Sequence, residues 1–547
     1  IWKGIKFAST FSYDFVMNKS RAWKDPRTSD GDDDNGRFSK DYNDITNMTW
    51  SNILTYQTKI KKKHNLDLLV GYEINSKESD GLGTTISNFA RWDKPEVNNG
   101  VVYQSMGGSN STTRIVSYIT RANYDYDNKY YLGASWRTDG SSRLARENRW
   151  GNFWSLSGAW RVSSESFMKP LQNWLSDLKL RVSYGVNGTL PSSYYGYMGL
   201  SSLTSNYNDN PGITQSQLEN KELTWETNYN FNSGIDLGFF DNRLNVTFEY
   251  YVRTTKNLLY SRPLSLATGF SSYLANIGKL QNKGYELEIR STNIETKDFR
   301  WSTSLNLGHN ANKILKLDGD LKQVTSGTSI HKVGLPYSTY YMIEFAGIDP
   351  VDGEPMFYKN TTDENGNLNK ETTKDPRSAE KVILQCADPT ITGGLGNSIS
   401  YKWFDLNFNV NFSFGAWNYD GAAGKLEHGG DGTLNIPIYY RKRWQKEGDE
   451  TSIERFVVGR SISMTDYATT RRLYSGDYVR LKNLTFGFTL PKTWTRKVGI
   501  DNIRLYASGN NLLTWAAYDY IDPESGSSPS WDTPPMRTYT FGLEVKF

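Results

Sequence analysis

Residues that could carry out chemistry are thinly spread along the 547-residue chain. The four histidines lie far apart, and no two of them have the spacing of metal ligands: His64, His309, His331 and His428. The single cysteine, Cys386, excludes an internal disulfide and a cysteine-ligated metal cluster. The sequence contains no nucleophile elbow and no glycine loop suited to a phosphate. These features favour a protein that is not an enzyme, although the many Asp and Glu residues leave a paired-carboxylate hydrolase open.

Two acidic runs could bind calcium, which prefers alternating oxygen ligands around a glycine turn. In the first run, Asp30, Asp32 and Asp34 alternate, but the glycine comes one position too late for an EF-hand loop. In the second, Asp363 and Asn365 resemble the start of a calcium loop, and the glycine comes too early. Both runs are also typical of solvated turns. Calcium in extracellular loops is therefore one alternative, and no other cofactor is expected.

Aromatic residues make up 14% of the chain, and several occur in long polar stretches. Aromatic rings in such positions could stack on the apolar faces of sugar rings. The candidates for substrate contact are Trp417, Tyr419, Tyr340 and Tyr341. The alternative for each is packing within a loop, or a place in the belt of Tyr and Trp at a membrane boundary.

The elements that position these residues are strands. Period-2 alternation over about ten residues recurs, as where Phe404, Leu406 and Phe408 alternate with Asn407 and Asn409. One face then suits lipid and the other suits water, so mean hydropathy stays low, here −0.64. No apolar run is long enough for a transmembrane helix. The pattern predicts sixteen strands: 2–16, 47–60, 65–79, 113–125, 129–140, 150–163, 178–188, 224–238, 243–256, 279–291, 299–311, 392–402, 404–415, 477–490, 502–514 and 538–547.

Connection lengths separate a membrane barrel from a soluble β-sandwich, whose strands also alternate. Short turns alternate with long polar loops, which is typical of periplasmic turns and extracellular loops in an outer-membrane barrel. The long loops are predicted near 17–46, 80–112, 189–223, 312–391 and 416–476. Helical spacing within 164–177 predicts a short periplasmic helix. The fold class is therefore all-β, a transmembrane antiparallel barrel spanning 1–547, in contact with membrane lipid.

The remaining bulk features concern partners and the chain ends. The net charge of +4 does not favour nucleic acid as a partner. The chain starts at Ile1 without a signal peptide, so we expect it to be the C-terminal part of a longer exported protein.

The last strand of the chain ends on an aromatic residue and resembles the signal that the barrel-assembly machinery recognises. The residues of this signal are Tyr539, Phe541, Leu543, Val545 and Phe547.

A series of short motifs resembles one known family. They include LTWE at 223–226, NKGYEL at 282–287, GIDPVDGEP at 347–355 and SGNNLL at 508–513. The others lie at 117–131, 137–143, 150–160, 178–185, 234–243, 276–278 and 478–483. In this order the set resembles the SusC/RagA family of TonB-dependent transporters of Bacteroidota, over nearly the whole chain.

The resemblance implies a 22-stranded barrel in the outer membrane of a Gram-negative bacterium, closed by an N-terminal plug. It also implies energy coupling to TonB–ExbB–ExbD through a short peptide before the plug, and a SusD-like surface lipoprotein as partner. The cargo in this family is an oligosaccharide or a peptide. The plug, the coupling peptide and about six strands are not in this chain.

Three functions follow from these observations. Active import of a bulky nutrient is the leading hypothesis. A passive porin of about sixteen strands is the first alternative, and a surface β-rich glycan hydrolase is the second.

Overall fold

The computed structural model of the protein describes residues 4–208, 210–317, 321–363, 366–430, 435–459, 467–518, 520–525 and 534–547. Its main element is a sixteen-stranded sheet in which the strands follow one another in chain order. The strands are β1 Ile5–Lys24, β2 Arg37–Ile60, β3 His64–Phe89, β4 Gly100–Tyr126, β5 Tyr130–Ser141, β6 Trp150–Arg161, β7 Leu175–Thr189, β8 Glu226–Phe239, β9 Leu244–Lys256, β10 Lys279–Glu295, β11 Phe299–Lys316, β12 Ile391–Tyr401, β13 Phe404–Phe414, β14 Tyr478–Thr489, β15 Asn502–Ala516 and β16 Thr538–Lys546. All sixteen predicted strands are present, and the predicted all-β antiparallel class is confirmed.

The chain divides into two compact units. Unit 1 comprises Ile1–Arg161, Arg181–Phe231 and Thr254–Gly278. Unit 2 comprises Val162–Leu180, Asn232–Arg253 and Lys279–Phe547. We describe each unit by itself.

In unit 1, the register gives the strands one apolar face and one polar face. Phe11 lies opposite Trp50, and Trp50 lies opposite Ile74. Phe11 and Trp50 are 66% and 47% exposed, which would be unfavourable in water and suits a face covered by lipid. On the other face, the Asn75 amide donates to the side chains of Asn47 and Thr49, each at 2.8 Å. Because successive side chains alternate, the predicted pattern becomes two chemically different faces.

The first two predicted loops, 17–46 and 80–112, are too wide. The strands β1 to β4 are 20, 24, 26 and 27 residues long, so only 25–36 and 90–99 connect them. A strand needs about 9–11 residues to cross a bilayer. Beyond that depth both faces of a strand can be polar, so the alternation is lost although the backbone hydrogen bonds continue. The sequence pattern therefore indicated loops where paired strands extend.

Two loops of unit 1 fold together. The predicted loop 189–223 contains a hairpin of Leu200–Tyr207 and Asn210–Gln217, and the stretch after β9, for which no loop was predicted, contains a second hairpin of Leu259–Pro263 and Ser272–Asn276. The Asn276 side chain accepts from the Thr224 N–H at 2.8 Å and donates to the Thr224 carbonyl at 2.9 Å. The LTWE motif and the motif at 276–278 therefore join two loops.

The long loops of unit 2 also contain secondary structure. The predicted loop 312–391 contains Gln323–Ser326, Ser329–Lys332, Thr339–Ile343, Phe345–Ile348, Pro355–Tyr358, Thr372–Thr373 and Lys381–Cys386. The predicted loop 416–476 contains the strands Trp417–Tyr419 and Leu473–Ser475 and the α-helix Gly421–Leu426. Strands of two to six residues are too short to show a period, which is why the sequence indicated only loops. A further connection, 517–537, was not predicted as a long loop.

The helical segments are short. A second α-helix covers Lys492–Thr495. The 3-10 turns are Val97–Asn99, Arg146–Asn148, Val162–Ser164, Ser166–Leu171, Leu266–Thr268, Pro376–Ser378, Ile438–Lys442, Thr470–Arg472, Arg496–Val498 and Pro523–Ser525. The helix predicted within 164–177 is one of these turns, with Pro170 inside it. Within the described ranges, no helix combines the length and the apolar character needed to cross a bilayer.

Candidate functional site

The polar face of unit 2 carries a row of amides. Asn407, Asn409 and Asn411 follow one another on this face of β13, and β12 places Ser398, Gly396 and Gly394 opposite them. Cavities of about 340 and 680 Å³ open off this face. The small residues on β12 leave the amides room: a Cβ on Gly396 would lie 2.8 Å from the Asn409 Oδ1. This polar face can therefore form hydrogen bonds with a polar solute.

The cavity lining tests the predicted division of faces. Asn407 and Asn409 line one cavity, as their alternation with Phe404, Leu406 and Phe408 predicts, and Thr247 and Glu249 line the other. On the opposite face, Phe248 stacks on Tyr285 with ring centroids 6.4 Å apart, and Phe404 stacks on Phe486 at 5.9 Å. The predicted alternation is confirmed for these strands.

Charges on the polar faces form pairs. In unit 2, Arg504 lies 2.8 Å from Asp405 and 3.4 Å from Glu544. In unit 1, Arg137 lies 2.7 Å from Asp139 and 3.6 Å from Glu73. Pairing lowers the cost of holding charge beside a partly covered surface. These paired side chains can form hydrogen bonds with a polar partner.

The last strand, β16, also has one apolar and one polar face. Leu543 lies opposite Leu505, and Val545 lies opposite Ile503, on the apolar side. Glu544 points to the other side, where it reaches Arg504. The aromatic residues of the proposed assembly signal are exposed, with Phe541 at 84% and Phe547 at 89%. In the sheet order β16 lies at one end beside β15, and β1 lies at the other end beside β2.

The structure brings three of the four candidate aromatics together, but by packing. Tyr340, Trp417 and Tyr419 belong to one apolar cluster around Met342 and Leu473. The Tyr419 N–H donates to the Tyr340 hydroxyl at 3.2 Å, and Tyr340 is only 3% exposed. Tyr340 therefore has no free ring face for a sugar, and packing, the alternative that the sequence left open, fits it better.

The strongest feature of these loops is a buried ionic network that the sequence did not indicate. Glu454 is fully buried; it accepts from the Tyr440 hydroxyl at 2.9 Å and pairs with Arg471 at 2.5 Å. Glu427 pairs with Arg472 at 3.2 Å, and its carboxylate accepts from the Tyr439 hydroxyl at 2.5 Å. These bonds hold together four segments that are up to 45 residues apart in sequence. Charged residues spaced so irregularly give no sequence pattern.

Burial sets the protonation of this network. It raises the pKa of the Tyr440 hydroxyl, and the adjacent Glu454 carboxylate raises that pKa further. Burial by itself lowers the pKa of Arg471, but the carboxylates of Glu454 and Glu427 hold it above its ordinary value. Tyr440 is therefore a neutral donor and Arg471 a cation at any physiological pH. A network this buried holds the loops in place rather than contacting a solute.

A second group of ion pairs joins Asp522 and Glu524 to β14. The Arg480 guanidinium is 3% exposed and lies 2.6 Å from Asp522 and 2.7 Å from Glu524. Lys482 reaches the same Glu524 at 2.6 Å. Arg480 and Lys482 both lie in the motif at 478–483. The motif was therefore a signal for these ion pairs, although its partner residues could not be identified from the sequence.

The calcium candidates are occupied by local contacts. Asp30 accepts from the Thr28 hydroxyl at 2.6 Å, and Asp34 pairs with Arg37 at 2.8 Å. The Asp363 carboxylate accepts from the Asn367 N–H at 2.7 Å, while Asn365 lies outside the described residues. In the part of the chain that the structure describes, no three His, Cys, Asp or Glu residues form a group that could hold a metal ion. The described residues of the first run, 30–35, form turns.

Strands with one polar face and one exposed apolar face define the class of transmembrane β-barrel proteins. A family model described as "TonB dependent receptor-like, beta-barrel" matches residues 2–512. The chain therefore belongs to the β-barrel family of TonB-dependent receptors.

Individual relatives agree with this assignment. The chain is 32% identical to TonB-dependent receptor P3 of Formosa agariphila, over all of this chain and 56% of that protein. It is 30% identical to TonB-dependent receptor SusC of Bacteroides thetaiotaomicron, over 79% of this chain and 44% of that protein. In the structure of the RagAB peptide transporter, a chain with 28% identity matches all of this chain and 60% of its own length, with a TM-score of 0.87. The chain thus spans about half the length of the curated relatives that it matches.

Proposed function

We propose that this chain is the barrel part of an active importer in the outer membrane of a Gram-negative bacterium of the Bacteroidota. The whole protein takes up a bulky nutrient, using energy from TonB–ExbB–ExbD and a SusD-like lipoprotein as partner. The observation that carries the proposal is the fold match to a peptide transporter over the full chain, with a TM-score of 0.87.

The cargo is an oligosaccharide or a peptide. The RagAB relative is a peptide transporter, and the SusC relative belongs to the same receptor family. Asn407, Asn409 and Asn411 offer amide donors and acceptors that fit the hydroxyls of a sugar or the backbone of a peptide. Trp417, Tyr419 and Tyr341 remain candidates for substrate contact, because each keeps part of its surface exposed.

Energy dependence tests the proposed function against a passive porin. A strain that lacks the gene should lose growth on one class of oligosaccharide or peptide, and a strain that lacks TonB should lose the same growth while the protein is still present in the outer membrane. Uptake that survives loss of TonB would instead support a porin. Solubility without detergent would support the hydrolase alternative.

A SusD-like lipoprotein should copurify with the full-length protein. We expect it to contact the long loops 312–391 and 416–476 and to bury well over about 1,000 Å², as stable complexes do. The measurement is mass spectrometry after affinity purification in a mild detergent, with an unrelated outer-membrane protein carrying the same tag as control. Repeated recovery of the barrel without any lipoprotein would contradict this prediction.

Deleting Phe547 should reduce assembly more than stability. Phe547 is 89% exposed at the end of β16, so its loss removes little packing. If the barrel-assembly machinery recognises this end, the amount of deletion variant in the outer membrane should fall about tenfold or more, a rate effect of about 1.4 kcal/mol. The molecules that do assemble should keep the heat resistance of the wild type. A Phe547→Tyr variant retains the aromatic ring and should assemble normally, whereas normal amounts of the deletion variant would show that β16 is an ordinary strand.

A further inference from the structure

The turn between β2 and β3 contains residues that are unusual for its backbone conformation. The Lys63 N–H closes this turn on the Ile60 carbonyl at 3.3 Å. Its two central residues, Lys61 and Lys62, have φ of +49° and +63°. A tight turn with two left-handed residues strongly prefers Asn and Gly, because a longer side chain is sterically disfavoured there. Two lysines are therefore present against the conformational preference of the turn.

The neighbouring turn shows the ordinary solution. Between β4 and β5, Lys129 N–H closes on the Tyr126 carbonyl at 2.9 Å, and the central residues Asp127 and Asn128 have φ of +54° and +53°. Asp and Asn are residues that tolerate this conformation. The turn between β4 and β5 thus has the same backbone conformation without lysine at its central positions. The turn geometry alone therefore does not explain Lys61 and Lys62.

These turns form one basic rim in unit 1. The Asp127 N–H donates to the Lys63 carbonyl at 2.7 Å, and the Arg161 N–H donates to the Lys129 carbonyl at 2.7 Å. The rim carries the basic residues Lys61, Lys62, Lys63, Lys129 and Arg161, with the carboxylates of Asp125 and Asp127 beside the second turn. Lys63 pairs with Asp127 at 3.2 Å. Among the described residues, no ion pair joins Lys61 or Lys62 to a carboxylate, and both side chains are exposed.

Aromatic rings border this rim on the apolar face. Tyr126 stacks on Tyr130 with centroids 6.4 Å apart, and Tyr130 stacks on Trp160 at 6.3 Å. Tyr and Trp settle where the hydrocarbon of a membrane meets its headgroups. Residues one step beyond such a belt lie at the level of the headgroups. In a barrel held in a membrane at this belt, the lysines of the rim would lie at the level of the headgroup phosphates.

We propose that this basic rim, residues 61–63 with Lys129 and Arg161, binds anionic phospholipid headgroups in the leaflet that faces the short turns. The inference rests on the proposed function, because it requires the barrel to lie in a membrane with its short turns on the periplasmic side. A lysine near an anionic lipid surface gains attraction that is lost in salt. Lys61 and Lys62 then place two positive charges at the membrane surface, at positions where Asn and Gly would favour the turn conformation.

The test compares lipid preference in variants of the full-length protein. Wild-type and variant proteins are placed in phosphatidylcholine vesicles that contain brominated phosphatidylglycerol or brominated phosphatidylcholine. Quenching of tryptophan fluorescence then reports which lipid contacts the protein. Lys61→Asn with Lys62→Gly installs the favoured turn residues, so this double variant should melt at the wild-type temperature or above. We expect its preference for phosphatidylglycerol to fall about fivefold or more.

Two control variants separate charge from structure. Lys61→Arg with Lys62→Arg keeps the charge and should keep the lipid preference. Lys24→Asn with Lys94→Asn removes two charges outside the rim, one at the end of β1 and one in the connection between β3 and β4, and should leave the lipid preference unchanged. An unchanged preference in the Asn–Gly variant, or an equal loss in the arginine variant, would overturn the proposal. Failure of the proposed function would appear separately, as a protein that does not fractionate with the outer membrane.

Discussion

Replacing Glu454 with alanine should open the loops of unit 2. The substitution leaves the Tyr440 hydroxyl without its acceptor at 2.9 Å and removes the nearer carboxylate of Arg471, at 2.5 Å, so that only Glu427 at 3.7 Å remains, in surroundings from which water is excluded. Removing one partner of a buried ion pair typically costs about 3–5 kcal/mol, because the other charge stays buried without that partner. Here Glu427 is left to compensate both Arg471 and Arg472. The expected result is rapid proteolysis between 427 and 472 in the purified protein.

Variants at the same position test the physical cause. Glu454→Gln keeps an acceptor for Tyr440 but loses the charge, so its cleavage rate should lie between those of the wild type and the alanine variant. Glu454→Leu combined with Arg471→Met replaces the pair by apolar side chains and should recover part of the protection. Glu450→Ala removes an exposed carboxylate from the same loop and should have no effect. Equal cleavage of the Glu450 and Glu454 variants would show that the network does not hold the loops.

An arginine at Phe408 should cost far more than an arginine at Asn409. Phe408 lies in the middle of β13 on the face of Phe404, whereas Asn409 lines a cavity on the polar face. A charge on the lipid face near the midplane costs about 2–4 kcal/mol, and a charge on the wet face costs much less. The measurement is the free energy of unfolding from denaturant titrations in lipid vesicles.

The pair of variants is its own control, because the two positions are adjacent and receive the same side chain. Asn409→Arg should fold with nearly wild-type stability, because its guanidinium can reach water. If both variants lose the same stability, the assignment of the apolar face to lipid is wrong.

The strands could be found from the sequence because each needs only local information. Period-2 alternation places every second side chain on one face, and a bilayer demands that this face be apolar over about ten residues. For this reason the stretch around Phe404 to Phe414 was found with nearly its observed bounds. Where β1 to β4 extend beyond the membrane, neither face has to be apolar. Residues 17–24 and 37–46 therefore show no strand pattern, although they pair along their whole length.

The candidate site was predicted only in part. Alternation alone places Asn407 and Asn409 on the polar face, whereas Tyr340, for which the sequence left both substrate contact and loop packing open, is packed at 3% exposure. The sequence shows that an aromatic residue lies in a long loop, but it does not show what covers the ring. The motifs near Trp225, Asn276 and Arg480 were recognised, but their role in joining loops was visible only from the contacts that they make.

The sequence by itself determined the sixteen strands, their two faces, the short turns and the family of the protein. The tertiary structure alone decided how the long loops fold, because their contacts join residues far apart in the chain. Glu427 meets Arg472 across 45 residues, and Glu354 meets Arg455 across 101. Such pairs have no period and no fixed spacing, so their partners become known only when the backbone brings them within hydrogen-bonding distance.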